Sequence, residues 1–96
     1  MTAYVIVQVE SVSDPERLKQ YRQIGGPSLK ASGAEVIAVN RAFETLEGPP
    51  PESVVMLRFP SVEAARAWYT SPLYQAALPH RLAGARCRAL IVEGAA

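Results

Sequence analysis

The chain has 96 residues, of which 10 are Lys or Arg and 9 are Asp or Glu, so its formal net charge at pH 7 is +1. Hydrophobic residues make up 49% and charged residues 20%, a globular balance that excludes a disordered tail and a strongly basic nucleic-acid-binding segment. The single cysteine and the single histidine exclude an internal disulfide framework and a Cys-rich zinc site.

No linker, low-complexity tract or change of composition divides the chain, so we expect one domain spanning residues 1–96. No apolar run of about 18 residues occurs, and we therefore expect no membrane partner. The N-terminus lacks the basic segment and the small-residue cleavage site of a signal peptide, which predicts a cytoplasmic protein.

The N-terminal third of the chain predicts a strand followed by a helix. Tyr4–Glu10 alternates with valines on one side and further apolar residues on the other, the pattern of a strand with two largely apolar faces. A helix is predicted from Asp14, whose side chain can cap free amides, with Pro15 at the first helical position. We expect Gly25-Gly26-Pro27 to break or kink this helix and Gly33 to end it.

Two further strands are predicted in the middle of the chain. Glu35–Arg41 alternates and is predicted to be a strand, whose extension as far as Phe43 and Leu46 is left open. Gly48–Pro51 is too rich in proline for helix or ladder and predicts a stiff turn. Ser53–Phe59 follows as a third strand that is apolar on both faces.

The last third predicts helix and then strand. Ser61 is the expected N-cap of a helix, and Ser71-Pro72 restarts a helix with the same device of a cap followed by proline. Arg86–Glu93 is the last predicted strand. The order βαββαβ predicts an α+β, ferredoxin-like fold with a four-stranded antiparallel sheet.

The apolar faces of the first and third strands bear on assembly. Helices on one side of a four-stranded sheet cover only one of its faces. A second apolar face therefore predicts an isologous homodimer in which two sheets stack face to face. The alternative is a monomer that tolerates scattered exposed apolar residues.

One long segment, Phe59–Gln75, resembles the domain-of-unknown-function 1330 family of the dimeric α+β barrel superfamily. Other residues that fit the family pattern are Tyr4-Val5-Ile6, Asp14-Pro15-Glu16, Tyr21, Glu47-Gly48, Arg81 and Val92-Glu93-Gly94. The resemblance covers nearly the whole chain and implies a ferredoxin-like subunit that dimerises through its sheets. It implies no particular activity, because the family is named for lacking one. The chain departs from the family at Pro79, which we expect to interrupt the helix before Arg81.

The candidate ligand-binding residues are Tyr21, Tyr74 and Arg81. Tyr74 and Arg81 lie two helical turns apart, so on a continuous helix a phenol and a guanidinium flank one groove. A guanidinium suits a carboxylate or phosphate, and a tyrosine hydroxyl can donate to a carbonyl or anion. The alternative is that Tyr74 packs in the core and Arg81 pairs with a strand carboxylate such as Glu47 or Glu93.

His80 is the candidate catalytic residue, because imidazole can move protons near neutral pH. The alternative is an exposed loop histidine, since no local motif pairs it with a nucleophile. The chain has no metal-binding motif and no motif for a bound cofactor, and its third strand lacks the aromatic and basic signature of RNA-binding sheets. We therefore expect no metal, no cofactor and no nucleic-acid partner.

Taken together, the sequence predicts a homodimer that binds a small organic acid or carbonyl compound in a pocket between sheet and helices. Whether this pocket belongs to a cofactor-free enzyme is left open. The alternative is a non-catalytic interaction or sensor module.

Overall fold

Strands and helices follow one another in the order β-α-β-β-α-α-β in a computed structural model that describes residues 1–95. The elements are β1 (Ala3–Val12), α1 (Pro15–Ser32), β2 (Glu35–Val39), β3 (Ser53–Phe59), α2 (Val62–Thr70), α3 (Pro72–Gly84) and β4 (Ala85–Glu93). The predicted domain, residues 1–96, includes Ala96, which lies outside the described residues.

The four strands form one antiparallel sheet in the order β2-β3-β1-β4. Within it, Val7 pairs with Val55 on one side and with Ala89 on the other. The first and last strands are therefore neighbours, and the middle two strands lie to one side of them. This is the ferredoxin-like arrangement predicted from the element order.

The predicted helix signals are confirmed. The Asp14 side chain accepts hydrogen bonds from the amides of Glu16 (3.1 Å) and Arg17 (3.3 Å) at the start of α1. Gly33 ends α1 in the left-handed region, with φ at 73°, a conformation that glycine adopts without a steric penalty. Ser61 and Ser71 cap α2 and α3 through their side chains.

Of the predicted break or kink at Gly25-Gly26-Pro27, the break is wrong, because α1 runs through these residues as one helix. Pro27 is exposed, so water can satisfy the Gln23 carbonyl that loses its helical donor. Ser28 strengthens the same turn, since its Oγ donates to the Gly25 carbonyl (2.5 Å) and accepts from Trp68 Nε1 (3.0 Å). The contact with Trp68 of α2 thus stabilises the turn of α1 that the glycines and Pro27 weaken.

The predicted interruption at Pro79 is also wrong, because α3 continues through it to Gly84. Both Pro79 and Gln75, whose carbonyl loses its partner, are exposed to water. The opposite side of the helix carries the buried residues Leu78 and Arg81. Packing of this inner side, together with hydration of the outer side, keeps the helix intact.

The second strand does not extend to Phe43 and Leu46, an extension that the sequence left undecided. β2 ends at Val39, and Asn40 follows in the left-handed region with φ at 52°. Phe43 and Leu46 lie in an irregular, exposed segment. The change of direction at Asn40 separates this segment from the sheet.

The hydrophobic core lies between the helices and one face of the sheet. Phe59 and Trp68 contact each other with ring centroids 5.5 Å apart, and Trp68 also contacts Tyr74 at 4.2 Å. The core cluster consists of Val5, Val7, Leu57, Phe59, Ala65, Trp68, Tyr74 and Leu78. Within residues 1–95, no helix has the length and apolar character needed to cross a bilayer.

Side chains on the other face of the sheet, here called the outer face, alternate with those of the core. Met56 pairs with Ile6, and Ile6 pairs with Leu90, so the three form one apolar row across the sheet. Leu90 is 50% exposed. The prediction that strands β1 and β3 are apolar on both faces is therefore confirmed.

Close packing between α1 and α3 depends on glycine. A Cβ built at Gly84 lies 2.9 Å from both the Arg17 Cβ and the Asp14 carbonyl oxygen. The Asp14 backbone cannot retreat without disturbing the N-cap of α1. Helix α1 therefore approaches the end of α3 more closely than any side chain at position 84 would allow.

We expect Gly84→Ala to lower the free energy of unfolding by about 1–3 kcal/mol, because the added methyl group overpacks this contact. The matched control is Gly26→Ala, where the built Cβ has no neighbouring atom within 4 Å. This control should be neutral or stabilising by up to about 1 kcal/mol, since alanine favours helix. Urea denaturation of both variants at one protein concentration measures the difference, and equal stabilities would contradict the packing argument.

Candidate functional site

A cavity of about 410 Å³ lies between α1, α3 and the core face of the sheet. This volume falls in the lower part of the range of small-molecule sites, roughly 300–1,000 Å³. Most of its lining is aliphatic, including Val7, Val9, Leu18, Leu29, Val55 and Leu57. The lining therefore favours a ligand with a substantial apolar part.

Three polar side chains meet in the wall of this cavity: Tyr21 from α1, and Tyr74 and Arg81 from α3. The two tyrosine hydroxyls form a hydrogen bond of 2.9 Å, and their rings meet edge to face with centroids 6.0 Å apart. The Arg81 Cζ lies 5.8 Å from the centroid of the Tyr21 ring. The structure thus brings together all three residues that the sequence proposes for ligand binding.

Local sequence positions each of these side chains. Tyr21 follows Leu18 on the face of α1 that turns toward the sheet. Tyr74 lies in the first turn of α3, where its amide donates to the Ser71 Oγ (3.3 Å). Arg81 lies two turns later on the same face, because Pro79 leaves the helix unbroken. Tyr74 is only 2% exposed, so it belongs to the core and to the cavity at once.

Arg81 is buried without a negative partner. Its side chain is 5% exposed, and no carboxylate of residues 1–95 forms an ion pair with it. The alternative pairing with Glu47 or Glu93 is therefore not formed. Its Nε is buried and has no hydrogen-bond partner among the described residues. A buried charge that lacks a partner is unfavourable, so this guanidinium is suited to an anion from outside the chain.

The neighbouring groups keep Arg81 charged. Burial by itself lowers the pKa of the Arg81 guanidinium, but the adjacent Tyr74 hydroxyl, with smaller effects of Cys87 and Tyr21, outweighs it. The net pKa lies above the ordinary value for arginine. The cavity therefore presents a permanent positive charge at neutral pH.

Tyr21 acts as a neutral hydrogen-bonding group at the same pH. Burial raises the pKa of the Tyr21 hydroxyl far above its ordinary value, and the adjacent Tyr74 raises it further, whereas Arg81 lowers it only in part. Because Tyr21 keeps its proton, the pair always contains a hydroxyl hydrogen bond. The hydroxyl that is not donating within the pair is free to donate to a ligand oxygen.

His80 is not brought to this site. It is half-buried on α3 but does not line the cavity, and its Nδ1 is buried with no hydrogen-bond partner within residues 1–95. His80 and Arg81 are neighbours on α3, and adjacent residues of a helix point about 100° apart. The two side chains therefore face in different directions. A catalytic role for His80 stays a prediction, and the exposed-loop alternative is wrong because the residue is helical and partly buried.

Other residues that line the cavity include Arg22, Gly26, Asn40, Ser53 and Cys87. Helical spacing from Leu18 through Arg22 and Gly26 places two of them on the cavity side of α1. Strand alternation places Cys87 on the core face of β4, where it is half-buried. The other two reach the cavity through the ends of β2 and β3, which no local pattern reveals.

Among residues 1–95, no group of three or more His, Cys, Asp or Glu side chains is placed to hold a metal ion. The polar groups that line the cavity are the guanidinium of the buried Arg81, two phenols and a thiol, together with the side chains of Arg22, Asn40 and Ser53. These groups bind anions and donate hydrogen bonds to carbonyl oxygens.

Solved structures with the same architecture come from several bacteria. RPA0582, a protein of unknown function from Rhodopseudomonas palustris, is 22% identical with a TM-score of 0.76, and the match covers 97% of this chain and 82% of that one. A dimeric ferredoxin-like protein of unknown function from Jannaschia sp. CCS1 is 17% identical with a TM-score of 0.67, covering 98% and 100% of the two chains.

A dimeric protein of unknown function and ferredoxin-like fold from Bacteroides fragilis is 12% identical, with a TM-score of 0.63 and coverage of 97% and 96%. At these identities the likeness shows the shared fold alone. No curated protein matches the chain. The model of one family, described as a domain of unknown function (DUF1330), matches residues 2–95, and the chain belongs to that family.

Proposed function

We propose that the protein is a homodimer whose subunits each bind a small organic acid or carbonyl compound in the cavity beside Arg81. The observation that carries the proposal is a guanidinium that is 5% exposed, faces a cavity of about 410 Å³ and has no carboxylate partner among residues 1–95. A bound carboxylate supplies the missing negative charge and accepts the unused hydrogen bond of Nε.

The tyrosines complete the proposed binding group. One hydroxyl of the Tyr21–Tyr74 pair donates to the second carboxylate oxygen, or to the oxygen of a carbonyl ligand. Because the Tyr21 phenol is neutral, it stabilises negative charge that develops on a ligand oxygen without repelling it.

The proposed dimer forms through the outer face of the sheet. The apolar row of Met56, Ile6 and Leu90 is the surface that a second copy would cover. Ion pairs flank this row on both sides: Arg58 with Glu35, and Arg88 with Glu10 at 2.6 Å. The dimeric neighbours from Jannaschia and Bacteroides support this assembly. The cytoplasmic location expected from the sequence stays a prediction.

Thermal denaturation and calorimetric titration with a panel of small monocarboxylates test the binding proposal. We expect at least one acid to raise the Tm of the protein. Arg81→Gln should lower the affinity for that acid by about ten- to a hundredfold, because the variant loses a charge-assisted hydrogen bond. The control is Arg66→Gln, which removes an exposed arginine of α2 that does not line the cavity. It should bind like the parent protein.

Two results would contradict the proposal. The first is a panel in which no carboxylate or carbonyl compound changes the Tm. The second is an acid that binds Arg81→Gln as tightly as it binds the parent protein. Either result would favour the alternative of a non-catalytic interaction module, in which the charge of Arg81 serves no ligand.

A further inference from the structure

The cavity is elongated across the sheet. Its floor includes residues of all four strands, from Cys87 on β4, through Val9 on β1 and Ser53 on β3, to Val39 on β2. β4 and β2 are the two outer strands of the sheet, so the cavity crosses three interstrand spacings. At about 4.8 Å each, these correspond to roughly 14 Å. A ligand that fills the cavity is therefore elongated across the strands.

The charge lies at one end of this length. The Arg81 guanidinium is next to the Cys87 thiol and the two tyrosines, on the β4 side. From there toward β2 the floor is formed by Val7, Val9, Val55 and Leu57, and Leu29 of α1 lies above it. The other arginine of the lining, Arg22, is exposed and stays hydrated. A ligand thus meets one desolvated cation and then a largely aliphatic channel, whose floor also includes Ser53.

The far end of the channel opens toward water. Val39 is 39% exposed, and Asn40 beside it is exposed as well. A chain longer than the channel therefore extends past β2 without a clash. The channel limits the number of carbon atoms that gain from burial, but it does not exclude longer ligands.

We propose that the ligand is a monocarboxylate with an unbranched hydrocarbon chain, bound with its carboxylate at Arg81 and its chain across β1 and β3 toward β2. This inference rests on the proposed function and narrows it. A polyhydroxylated acid leaves hydroxyl groups without partners against the valines, and a short dicarboxylate places its second charge there. Each buried methylene instead strengthens binding, by up to about fourfold.

Gly26 sets the width of the channel. It lies on the cavity side of α1, and a Cβ built on it has no atom within 4 Å, so the absent side chain leaves space for the ligand. A larger residue at this position extends into that space and removes a glycine from a helix. We therefore expect Gly26→Leu to fold and to have a narrowed channel.

Calorimetric titration with butyrate, hexanoate and octanoate tests the inference. We expect the affinity to rise at each step and octanamide, the uncharged match of octanoate, to bind at least about tenfold more weakly, because it lacks the charge-assisted bond to Arg81. Suberate, the dicarboxylate of the same length, should bind more weakly than octanoate. The affinity of Gly26→Leu should fall by about tenfold or more for octanoate and stay unchanged for butyrate.

The results separate this inference from the proposed function. If pyruvate or lactate binds through Arg81 while the affinity is flat from butyrate to octanoate, the hydrocarbon-chain inference is overturned and the proposed function stands. If octanamide binds as tightly as octanoate, the carboxylate assignment is overturned. If no acid binds, both fail. If Gly26→Leu loses affinity equally for butyrate and octanoate, the hydrocarbon chain of the ligand does not pass α1, and the inference is overturned.

Discussion

Arg81→Met is expected to make the unliganded protein more stable and to abolish its response to carboxylates. The parent protein buries a guanidinium whose Nε has no hydrogen-bond partner among the described residues. A buried donor without a partner costs about 1–3 kcal/mol. Methionine replaces the aliphatic stem of arginine with a flexible apolar chain of similar length, and so removes the charge while keeping the packing.

The attraction between Arg81 and the ring of Tyr21, at 5.8 Å, opposes part of this gain. Such cation–π contacts contribute about 0.5–2 kcal/mol. With the middle of each range, about 2 kcal/mol regained and about 1 kcal/mol lost, the net effect expected for Arg81→Met is a gain of about 1 kcal/mol in the free energy of unfolding, which raises the Tm by roughly 4–8 °C. Thermal denaturation with and without an acid that binds the parent protein measures both effects in one experiment.

Arg81→Lys is the matched control, because it keeps the charge and loses the planar fork. It should gain no stability and should bind the acid more weakly than the parent protein. A loss of stability in Arg81→Met, equal to that of other large-to-small core changes, would contradict the argument. It would show that the folded chain itself satisfies the guanidinium, and the main support for a ligand would disappear.

The site is the part of the structure in which stability and function oppose each other. The helices and sheet are joined by ordinary core contacts, such as Trp68 with Phe59 and Tyr74. The cavity, in contrast, combines unfilled volume, which is unfavourable for folding, with a buried guanidinium that has no carboxylate partner among residues 1–95. Both features lie beside the hydroxyl pair of Tyr21 and Tyr74. Under the proposed function, a bound ligand would fill the volume and pair with the guanidinium.

The fold could be predicted because its signals are local. Asp14 and Gly33 mark the two ends of α1 through their own backbone and side-chain chemistry. Alternation of apolar residues places Val5 and Ile6 on opposite faces of β1, which needs no knowledge of the rest of the chain. These features follow from neighbouring residues alone, and the structure confirms them.

The predictions of a helix break at Pro27 and of an interruption at Pro79 failed, because the effect of a proline in a helix depends on whether water can reach the carbonyl that loses its donor. Both lie on exposed sides of helices, where water replaces the missing donor. Whether a residue is exposed is decided by the whole fold. The same reasoning explains the site: the spacing of Tyr74 and Arg81 predicted a shared groove, but only tertiary packing excludes His80 and places Cys87 in the cavity.

Met56→Glu is expected to convert the proposed dimer into a monomer. Met56 lies in the row with Ile6 and Leu90 at the centre of the outer face, so an isologous dimer buries it twice. The substitution places two carboxylates in an apolar interface, where each has lost its water and has no partner. We expect the dissociation constant of the dimer to rise by at least about a hundredfold, for a loss of roughly 3 kcal/mol.

Sedimentation velocity at micromolar concentration measures this change as a shift from twice the chain mass of 10.4 kDa to that mass. Arg66→Gln is the control, because it changes the net charge by the same amount on the solvent side of α2 and should leave the dimer intact. Circular dichroism separates dissociation from unfolding. The cavity lies on the opposite face of the sheet, so a folded Met56→Glu monomer should still bind the acid. A parent protein that sediments as a monomer would contradict the assembly, because the row of Met56, Ile6 and Leu90 would then need no partner.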